Sequence, residues 1–501
     1  MVYIPGFLVN KVYERGSLQN TKDGFTFTFK NTMTPVKISG MSQLKITIDS
    51  EISIPQENVE LELGGRIFKV SGEPLKELVE FSKNSKLFIR IKGDHLSDGK
   101  HVLKISFITH EYGGVTLKVK DAMGDIEYLT KWQKFKKLFS RKKKKVAIKP
   151  MIIEGEIGGV PLDPDFSRLE KVIRHEIPDR VPLFEAEIEI PIKEAFLGRE
   201  IQTAEDDVEF YIRAGYDFVP VVPPFFTPRV MRQADGDERS WITESEGRIK
   251  TMEDFEKFPW PDPDEVDFSS FYEIAALLPP KMKILGLLSP AAVFGNTSQS
   301  MGLTNFSYAL YDNIELVEAL FEKIGSSYLK IAKRLAKVPK LGAVLMSDDL
   351  AHTGGCFVNP KIYRKYVFPW YREIGRVFEN AGIPFIFHSD GNFMAVFNDL
   401  ADCGVKAIHP IEPQAMDIVE VKKEYGDKFC IFGNIDLDYT LTRGTVEEVE
   451  AQVKQRIKEL APGGGWGCAA SNSIPDYVKP ENFKAMVEAV KKYGKYPINI
   501  E

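Results

Sequence analysis

The chain has 501 residues, of which 43% are hydrophobic and 34 are Phe, and its formal net charge is -6. This length exceeds what one ordinary hydrophobic core holds and predicts about two domains. The negative balance argues against a nucleic-acid binder, and no apolar run approaches the roughly 18 residues of a transmembrane helix. Because the N-terminus also lacks a signal-peptide pattern and the four cysteines form no CxxC pair, we expect a cytoplasmic protein.

Residues 1–125 carry the alternating pattern of antiparallel β-strands. Phe25, Phe27 and Phe29 alternate with Thr, and Asp-Gly turns separate the apolar runs. Two packed sheets would bury such faces, so this part predicts an antiparallel β-sandwich domain. The stretches from Gly16 to Phe27 and from Leu96 to His101 resemble the β subunit of bacterial C-glycoside deglycosidases. That resemblance implies glycoside processing, while a module that recruits a partner stays open as the alternative.

A basic segment, residues 126–165, follows the β-rich part. Its centre, Lys131 to Lys145, combines a run of Lys and Arg with Trp132, Phe135 and Leu138 at helical spacing. One interpretation is a docking patch for anionic headgroups, nucleic acid or an acidic partner. The other is a solvated linker, which a single basic run in an acidic chain favours.

Residues 166–501 alternate between strand and helix signals. Segments with an apolar stripe at helical spacing, such as Pro360 to Glu379 and Val446 to Leu460, separate short apolar runs. The predicted strands are Val181 to Glu187, Asp217 to Val222, Met282 to Ser289, Gly342 to Asp348, Pro384 to His388, Val405 to Pro410, Phe429 to Asp436 and Gly465 to Ala470. Eight strands in this order predict a (β/α)8 TIM barrel. A doubly wound open sheet is the alternative, but its glycine-rich dinucleotide turn is missing.

In such a barrel the functional site lies at the C-terminal ends of the strands. His388 and Asp390 are two residues apart, so their side chains would point to the same side of the fifth strand. Of the adjacent Asp348 and Asp349 only one would enter the pocket, and we expect Asp349. The expected catalytic residues are His388, Asp390, Asp349, His409 and Glu185. The expected substrate-binding residues are Glu187, His352, Glu412, Asn434, Asp436 and Asn472.

A set of motifs in the barrel region carries a family resemblance. They are Ser347-Asp-Asp-Leu-Ala-His352, His388-Ser-Asp-Gly-Asn392, Gly433-Asn-Ile-Asp436 and Ala461-Pro-Gly-Gly-Gly465, followed by Pro480-Glu-Asn482. In this order they make residues 180–496 resemble the uroporphyrinogen decarboxylase superfamily, which also contains corrinoid methyltransferases. The resemblance implies a barrel with a deep pocket and one of two chemistries.

The first chemistry is decarboxylation of a porphyrinogen without metal or organic cofactor. A substrate with many carboxylates demands arginines, because a guanidinium pairs with a carboxylate in two parallel hydrogen bonds. The decarboxylases carry an Arg-Gln-Ala-Gly-Arg-Tyr signature just after the first strand. Here Glu185 to Glu194 is acidic and has no arginine, so we rank decarboxylation second.

The second chemistry is methyl transfer, in which zinc bound by one His and two Cys activates a thiol. Asp390 stands where the first of these Cys would be, and Cys468 lies near the second. The resemblance therefore implies a zinc site of His388, Asp390 and Cys468, unless His388 and Asp390 act as an acid/base pair without metal. We expect a one-carbon reaction, methyl transfer or demethylation of a small-molecule substrate, with a corrinoid or a thiol as the methyl acceptor. The resemblance also implies a corrinoid supplied by a partner protein and a barrel that can form a homodimer.

Overall fold

The computed structural model describes most of residues 150–500, with gaps at 226–227, 229–230, 234–239, 243–245 and 290. In the first part of the chain it describes 2–3, 17–30, 36–38, 42–49, 52–63, 66–69, 79–81, 86–93, 95–96, 99–109 and 113–123. The basic segment Lys131 to Lys145 lies outside the described residues. Contacts divide the chain into one unit of Met1–Ile148, Phe226–Ile249 and Gln299–Leu303, and a second of Lys149–Phe225, Lys250–Ser298 and Thr304–Glu501.

The first unit is built from β-strands. They are β1 (Val2–Tyr3), β2 (Gln19–Thr21), β3 (Gly24–Lys30), β4 (Val36–Ile38), β5 (Ser42–Ile48), β6 (Ile52–Ile54), β7 (Val59–Leu63), β8 (Arg66–Lys69), β9 (Val79–Phe81), β10 (Lys86–Lys92), β11 (Gly99–Thr109) and β12 (Gly113–Met123). Two sheets of five strands have the orders β1-β12-β11-β5-β6 and β2-β3-β10-β7-β8, and β4 pairs with β9. Buried side chains of both five-stranded sheets, among them Phe27, Ile46, Leu61, Ile89 and Leu103, belong to one hydrophobic cluster.

The remaining strands follow in chain order. They are β13 (Glu156–Ile157), β14 (Val160–Pro161), β15 (Phe218–Val221), β16 (Met231–Gln233), β17 (Ser240–Ile242), β18 (Lys283–Leu288), β19 (Leu341–Ser347), β20 (Ala351–His352), β21 (Gly355–Cys356), β22 (Phe385–His388), β23 (Ala407–His409), β24 (Cys430–Phe432) and β25 (Trp466–Gly467). β13 with β14, β16 with β17, and β20 with β21 form two-stranded pairs, of which β16 with β17 belongs to the first unit.

A curled parallel sheet forms the centre of the second unit. Its order is β15-β18-β19-β22-β23-β24-β25, which is the order of the chain. A doubly wound sheet would reverse its strand order at one point, so this topology favours the barrel prediction. The α/β class is thus confirmed, and the sheet is consistent with a TIM-barrel-like fold.

The first predicted strand, Val181 to Glu187, is not a regular strand. Leu183 and Ile188 form single parallel bridges to Cys468 and Ile474, which places this segment beside β25. Pro182 has no backbone N–H to donate, so the pairing of this segment lacks one hydrogen bond at this residue. Its carbonyl oxygen nevertheless accepts a hydrogen bond from the backbone N–H of Cys468 at 3.0 Å.

Helices separate the strands of the parallel sheet. They are Ser167–Ile173, Ile190–Leu197, Ala204–Arg213, Met252–Lys257, Ser269–Leu277, Val293–Met301, Leu303–Asp312, Ile314–Leu335, Pro360–Ile362, Phe368–Asn380, Phe397–Asp402, Ile418–Tyr425, Val446–Leu460 and Pro480–Tyr493. The predicted helix from Pro360 to Glu379 contains a π-helical turn at Tyr363–Val367. Among the described residues, no helix combines the length and the apolar character needed to cross a membrane.

The helix Val446–Leu460 illustrates how local sequence sets these elements. Thr445 and Glu448 form a capping box, in which each side chain accepts a hydrogen bond from the other residue's backbone N–H. Val449, Val453, Ile457 and Leu460 recur every three or four residues and are buried. One apolar stripe thus faces the core, while the charged residues between them remain on the solvent side.

Candidate metal centre

The ends of three neighbouring strands place the candidate site. In the parallel register Ser347 of β19 pairs with His388 of β22, which pairs with His409 of β23. The backbone N–H of Asp348 donates to the carbonyl oxygen of His388 at 3.0 Å, and that of Ser389 donates to His409 at 3.1 Å. The residues that directly follow these strands therefore lie side by side at one edge of the sheet.

Asp349, His388 and Asp390 converge at this edge. Nε2 of His388 lies 3.4 Å from Oδ1 of Asp390 and 3.9 Å from Oδ1 of Asp349. One ligand atom from each of the three residues lies within 4.8 Å of the others. All three side chains are partly exposed, so an ion or a small molecule could reach them from solvent.

Further hydrogen bonds hold the side chains of Asp349 and Asp390 in place and fix the loop that follows β22. The backbone N–H of Asp390 donates to Oδ1 of Asp349 at 3.1 Å, which ties the two loops together. The Asn472 side-chain amide donates to Oδ1 of Asp390 at 2.9 Å. The backbone N–H of Gly391 donates to Oε2 of Glu412 at 2.7 Å. The loop after β22 is thus fixed by groups from three other segments.

The far nitrogen of His388 contacts a second histidine. Its Nδ1 lies 2.8 Å from Nδ1 of His409, which is 1% exposed. The ring of His409 also packs against Phe184, with 5.3 Å between the centroids. Burial, followed by the charge of His388, lowers the pKa of His409 well below its usual range, so this imidazole is neutral at pH 7.

The carboxylates near His388 shift one another's proton affinities. Burial lowers the pKa of His388, but its hydrogen bond with Asp390 and the charges of Asp390, Asp349 and Glu412 outweigh this effect and raise it overall. Burial and the negative charge of Asp390 raise the pKa of Asp349. Burial raises the pKa of Asp390 too, but the hydrogen bond and charge of His388, with help from Asn472, bring it below its usual value. The pKa of Asp349 is thus raised, whereas that of the neighbouring Asp390 is lowered.

Asp348 and Asp349 separate as strand alternation predicts. The Asp348 carboxylate is buried and accepts hydrogen bonds from the backbone N–H groups of Phe294 and Gly295, at 2.7 and 2.6 Å, and from the Tyr371 hydroxyl at 2.6 Å. Burial raises its pKa to about 6. Asp348 therefore anchors the start of the helix Val293–Met301, and Asp349 is the one that reaches the mouth.

Glu185 and Cys468 lie elsewhere in the interior. Both are 0% exposed, and burial raises the pKa of each well above its usual range. Oε1 of Glu185 accepts from the backbone N–H of Ala470 at 2.7 Å, and its Oε2 has no partner among the described residues. Cys468 is not part of the group that could bind a metal. The structure thus brings Asp349 to His388 and Asp390 where the sequence suggested Cys468.

The other predicted substrate-binding residues have local contacts. Nδ1 of the exposed His352 accepts from the backbone N–H of Gly354 at 3.1 Å. The buried Asn434 donates to the carbonyl oxygen of Ile411 at 2.6 Å. Asp436 accepts from the backbone N–H of Tyr439 at 2.9 Å and closes a turn. Glu187 is exposed.

Gly391 is a residue of this site that the sequence reasoning passed over. Its φ is +73°, and a Cβ at this position would lie 2.5 Å from the carbonyl carbon of His352. Only a glycine permits both the left-handed conformation and this close approach. Its place directly after Asp390 in the motif was the available signal.

The donor set and its spacing fit a divalent cation. Metal–oxygen and metal–nitrogen bonds of about 2.0–2.2 Å in a tetrahedron put ligand atoms about 3.3–3.6 Å apart. The His388–Asp390 separation of 3.4 Å meets this value. The His388–Asp349 separation of 3.9 Å, and that between the two carboxylates, which is within 4.8 Å, would need the carboxylates to move towards a bound ion. One nitrogen and two oxygens leave a fourth position open, as in catalytic zinc sites.

The curled parallel sheet and the polar group at its strand ends define an α/β protein of TIM-barrel-like fold with a candidate site at its strand ends. The family model described as uroporphyrinogen decarboxylase (URO-D) matches residues 241–493, just over half of the chain, and the chain belongs to this family. A second model, described as the N-terminal domain of hydroxymethylglutaryl-CoA reductase, matches residues 8–124.

Relatives of both chemistries are similar to this chain. A methylcobamide:CoM methyltransferase MtaA of Methanosarcina barkeri is 32% identical over 112 residues, which are 22% of this chain and 30% of the relative's length. A uroporphyrinogen decarboxylase of Chlorobaculum tepidum is 26% identical over 263 residues, 49% of this chain and 70% of that protein. A solved methyltransferase from Methanosarcina mazei has 17% identity and a TM-score of 0.50, covering 66% of this chain and 99% of that chain. The last likeness supports the fold alone.

Proposed function

We propose that the second unit is a methyltransferase that removes a methyl group from a small substrate with the help of a divalent metal. Zinc is the first candidate for this metal. The observation that carries this proposal is the convergence of Asp349, His388 and Asp390, whose ligand atoms lie within 4.8 Å of one another at the strand ends. The similarity to a methylcobamide:CoM methyltransferase supports the same reaction class, with a corrinoid supplied by a partner protein.

In this proposal Asp349, His388 and Asp390 hold the metal, which when bound acts as a Lewis acid on the substrate atom that carries or receives the methyl group. Asn472 keeps Asp390 oriented through its 2.9 Å hydrogen bond. Burial, followed by the charge of Asp390, raises the pKa of Glu412, which suits it to take up a proton that a substrate loses. His409 contacts the ligand His388 from the interior side.

The ligand types point to the kind of substrate atom. The zinc methyltransferases that the sequence resembles use two thiolates, whereas two carboxylates here make a harder site. Such a site is less suited to a soft thiol and better suited to an oxygen or nitrogen atom. Demethylation of an oxygen-linked or nitrogen-linked methyl group is therefore the favoured direction.

Porphyrinogen decarboxylation is the second candidate, and the relatives of that name support it. Its substrate carries many carboxylates and needs cationic side chains to bind them. Among the described residues, the charged groups that shift the pKa values of Asp349 and Asp390 are those two acids and His388, with no Lys or Arg. An acidic mouth would repel a polyanion, so methyl transfer ranks first.

A direct comparison of the two reactions tests the proposal. Purified protein loaded with zinc is incubated with methylcobalamin and a small alcohol or amine as methyl acceptor in one reaction, and with uroporphyrinogen in another. We expect the spectrum of methylcobalamin to change to that of demethylated cobalamin as the methyl group passes to the acceptor and the acceptor loses a proton, with this change lost in His388→Ala and no porphyrinogen consumed. Metal-free protein that decarboxylates the porphyrinogen would reverse the ranking.

We also propose a complete (β/α)8 barrel for residues 166–501, with residues 181–188 as its irregular first strand. The bridges of Leu183 and Ile188 beside β25 support this closure on one side, and the 5.5 Å ring contact of Phe184 with Phe218 of β15 supports it on the other. For residues 1–125 we propose an antiparallel β-sandwich, supported by the hydrophobic cluster that both sheets share. Partner recruitment or glycoside processing by this domain, homodimer formation, the linker at 126–165 and a cytoplasmic location remain predictions.

A further inference from the structure

The contact between His388 and His409 requires a donor and an acceptor. The two Nδ1 atoms are 2.8 Å apart, which is hydrogen-bond distance, so one proton lies between them. A neutral imidazole has one N–H and one acceptor nitrogen. The direction of this bond therefore decides which nitrogen of His388 is free on the side of Asp349 and Asp390.

Metal binding permits one direction of this bond. A cation between Asp349 and Asp390 needs the lone pair of His388 Nε2, the nitrogen that faces both carboxylates. The proton of His388 must then be on Nδ1, and Nδ1 of His409 must accept it. In the opposite direction His388 would carry its proton on Nε2 and would be unable to bind a metal.

His409 is held where it can serve as this acceptor. It pairs in register with His388 on the adjacent strand, and its carbonyl oxygen accepts from the backbone N–H of Ser389 at 3.1 Å. Its ring is 1% exposed and packs against Phe184. Since the backbone and the packing both restrain the ring, Nδ1 of His409 keeps its aim at His388.

The other ring nitrogen of His409, Nε2, is buried without a hydrogen-bond partner among the described residues, which destabilises the fold. Buried polar groups without partners are rare, and each one calls for an explanation. A histidine that served only as packing would be replaced by an apolar residue at no such cost, so a role for its Nδ1 accounts for its presence.

We propose that His409 is a positioning residue: its Nδ1 accepts the Nδ1 proton of His388 and thereby directs Nε2 of His388 to a divalent metal. This inference rests on the proposed metal site and adds the residue that sets the tautomer of its histidine ligand. Partners of this kind fix the ring and raise the basicity of the ligating nitrogen.

Two substitutions of His409 test separately its role as a hydrogen-bond acceptor and its role in filling space. In His409→Asn the amide oxygen takes about the place of Nδ1 and can accept the same proton, whereas His409→Leu fills space and accepts nothing. Tyr371→Phe is the matched control, because it removes a buried hydroxyl bond from Asp348 without touching His388. Each protein, with its fold checked by near-UV circular dichroism, is titrated with Co²⁺, and the visible spectrum of the bound ion is recorded.

We expect His409→Leu to weaken Co²⁺ binding about 10–100-fold and to change the visible spectrum. His409→Asn and Tyr371→Phe should bind Co²⁺ with close to wild-type affinity, because both variants keep an acceptor for the Nδ1 proton of His388. Folded His409→Leu with wild-type affinity, or His409→Asn that falls as far as His409→Leu, would overturn the positioning role alone. A wild type that binds no Co²⁺ would overturn the proposed metal function and this inference with it.

Discussion

Asp349 and His388 meet at the ends of adjacent strands, with 3.9 Å between Oδ1 and Nε2. Asp349 belongs to the loop after β19, and His388 is the last residue of β22. Because parallel strands end at the same edge, residues distant in sequence become neighbours there. In the proposed metal site Asp349 is therefore the third ligand, whereas Cys468 is buried in the interior.

The first prediction separates these two ligand sets. Asp349→Asn should weaken Zn²⁺ binding at least about 10-fold, because an amide oxygen is a neutral and weaker ligand than a carboxylate. Cys468→Ser should leave the affinity unchanged, since the buried thiol is not among the grouped ligand atoms. Competition with a coloured chelator measures both constants. If Cys468→Ser loses Zn²⁺ binding and Asp349→Asn keeps it, the zinc site predicted from sequence, with Cys468 as a ligand, would be supported instead.

The second prediction concerns the pH dependence caused by Glu185. Burial raises its pKa well above 4.5 in the folded chain, so the folded state holds this proton more tightly than the unfolded state. The contribution of Glu185 to stability is therefore present at low pH and is lost as pH rises from the unfolded pKa towards the folded one. Glu185→Gln, which stays neutral, should gain stability relative to wild type as pH rises from 4 to 8. Thermal melts across this range measure the difference, and a constant difference would contradict the assignment.

The third prediction tests the glycine beside Asp390. Gly391→Ala should destabilise the site loop by about 2 kcal/mol or more, because a left-handed alanine is strained and its Cβ would collide with the backbone of His352. It should also weaken metal binding. Gly382→Ala is the control, since Gly382 has a similar φ of +68° but nothing within 4 Å of the added Cβ. Equal effects of the two substitutions would show that the close contact is unimportant.

The fourth prediction concerns an ion cluster on the side of the sheet where its strands begin. Arg168 is 4% exposed and donates to Asp217 at 2.9 Å and to both carboxylate oxygens of Asp179, at 2.8 and 3.0 Å. Arg168→Ala leaves the buried Asp217 without this partner and should cost about 3–5 kcal/mol. Chemical denaturation measures the loss. Arg364→Ala, which breaks an exposed pair with Asp399, should change little; a similar loss in both would refute the burial argument.

Side chains along a strand point alternately to its two sides, and this alternation made much of the site predictable. His388 and Asp390 are two apart and share a side, with 3.4 Å between Nε2 and Oδ1. Asp348 and Asp349 are adjacent and separate, one to a helix start and one to the mouth. Both results need only the two-residue repeat of a strand and the position where its apolar run ends.

The placement of Cys468 and of the first strand could not be read in the same way. The apolar run around Cys468 is buried on both sides, so its composition does not tell which side a residue faces. The segment from Val181 to Glu187 has a strand composition, but its pairing depends on Pro182 and on residues almost three hundred positions away. Contacts of that kind are set by tertiary packing, which local patterns do not encode.

The metal content of the purified protein tests the central claim most directly. The wild-type chain of 501 residues and its His388→Ala variant are each incubated with Zn²⁺ and dialysed against metal-free buffer. Their zinc content is measured by inductively coupled plasma mass spectrometry, and their folding is checked by circular dichroism. We expect about one zinc per chain in the wild type and almost none in His388→Ala, as an open three-ligand site predicts. A folded wild type without zinc, or the same zinc content in both proteins, would contradict a metal centre formed by Asp349, His388 and Asp390.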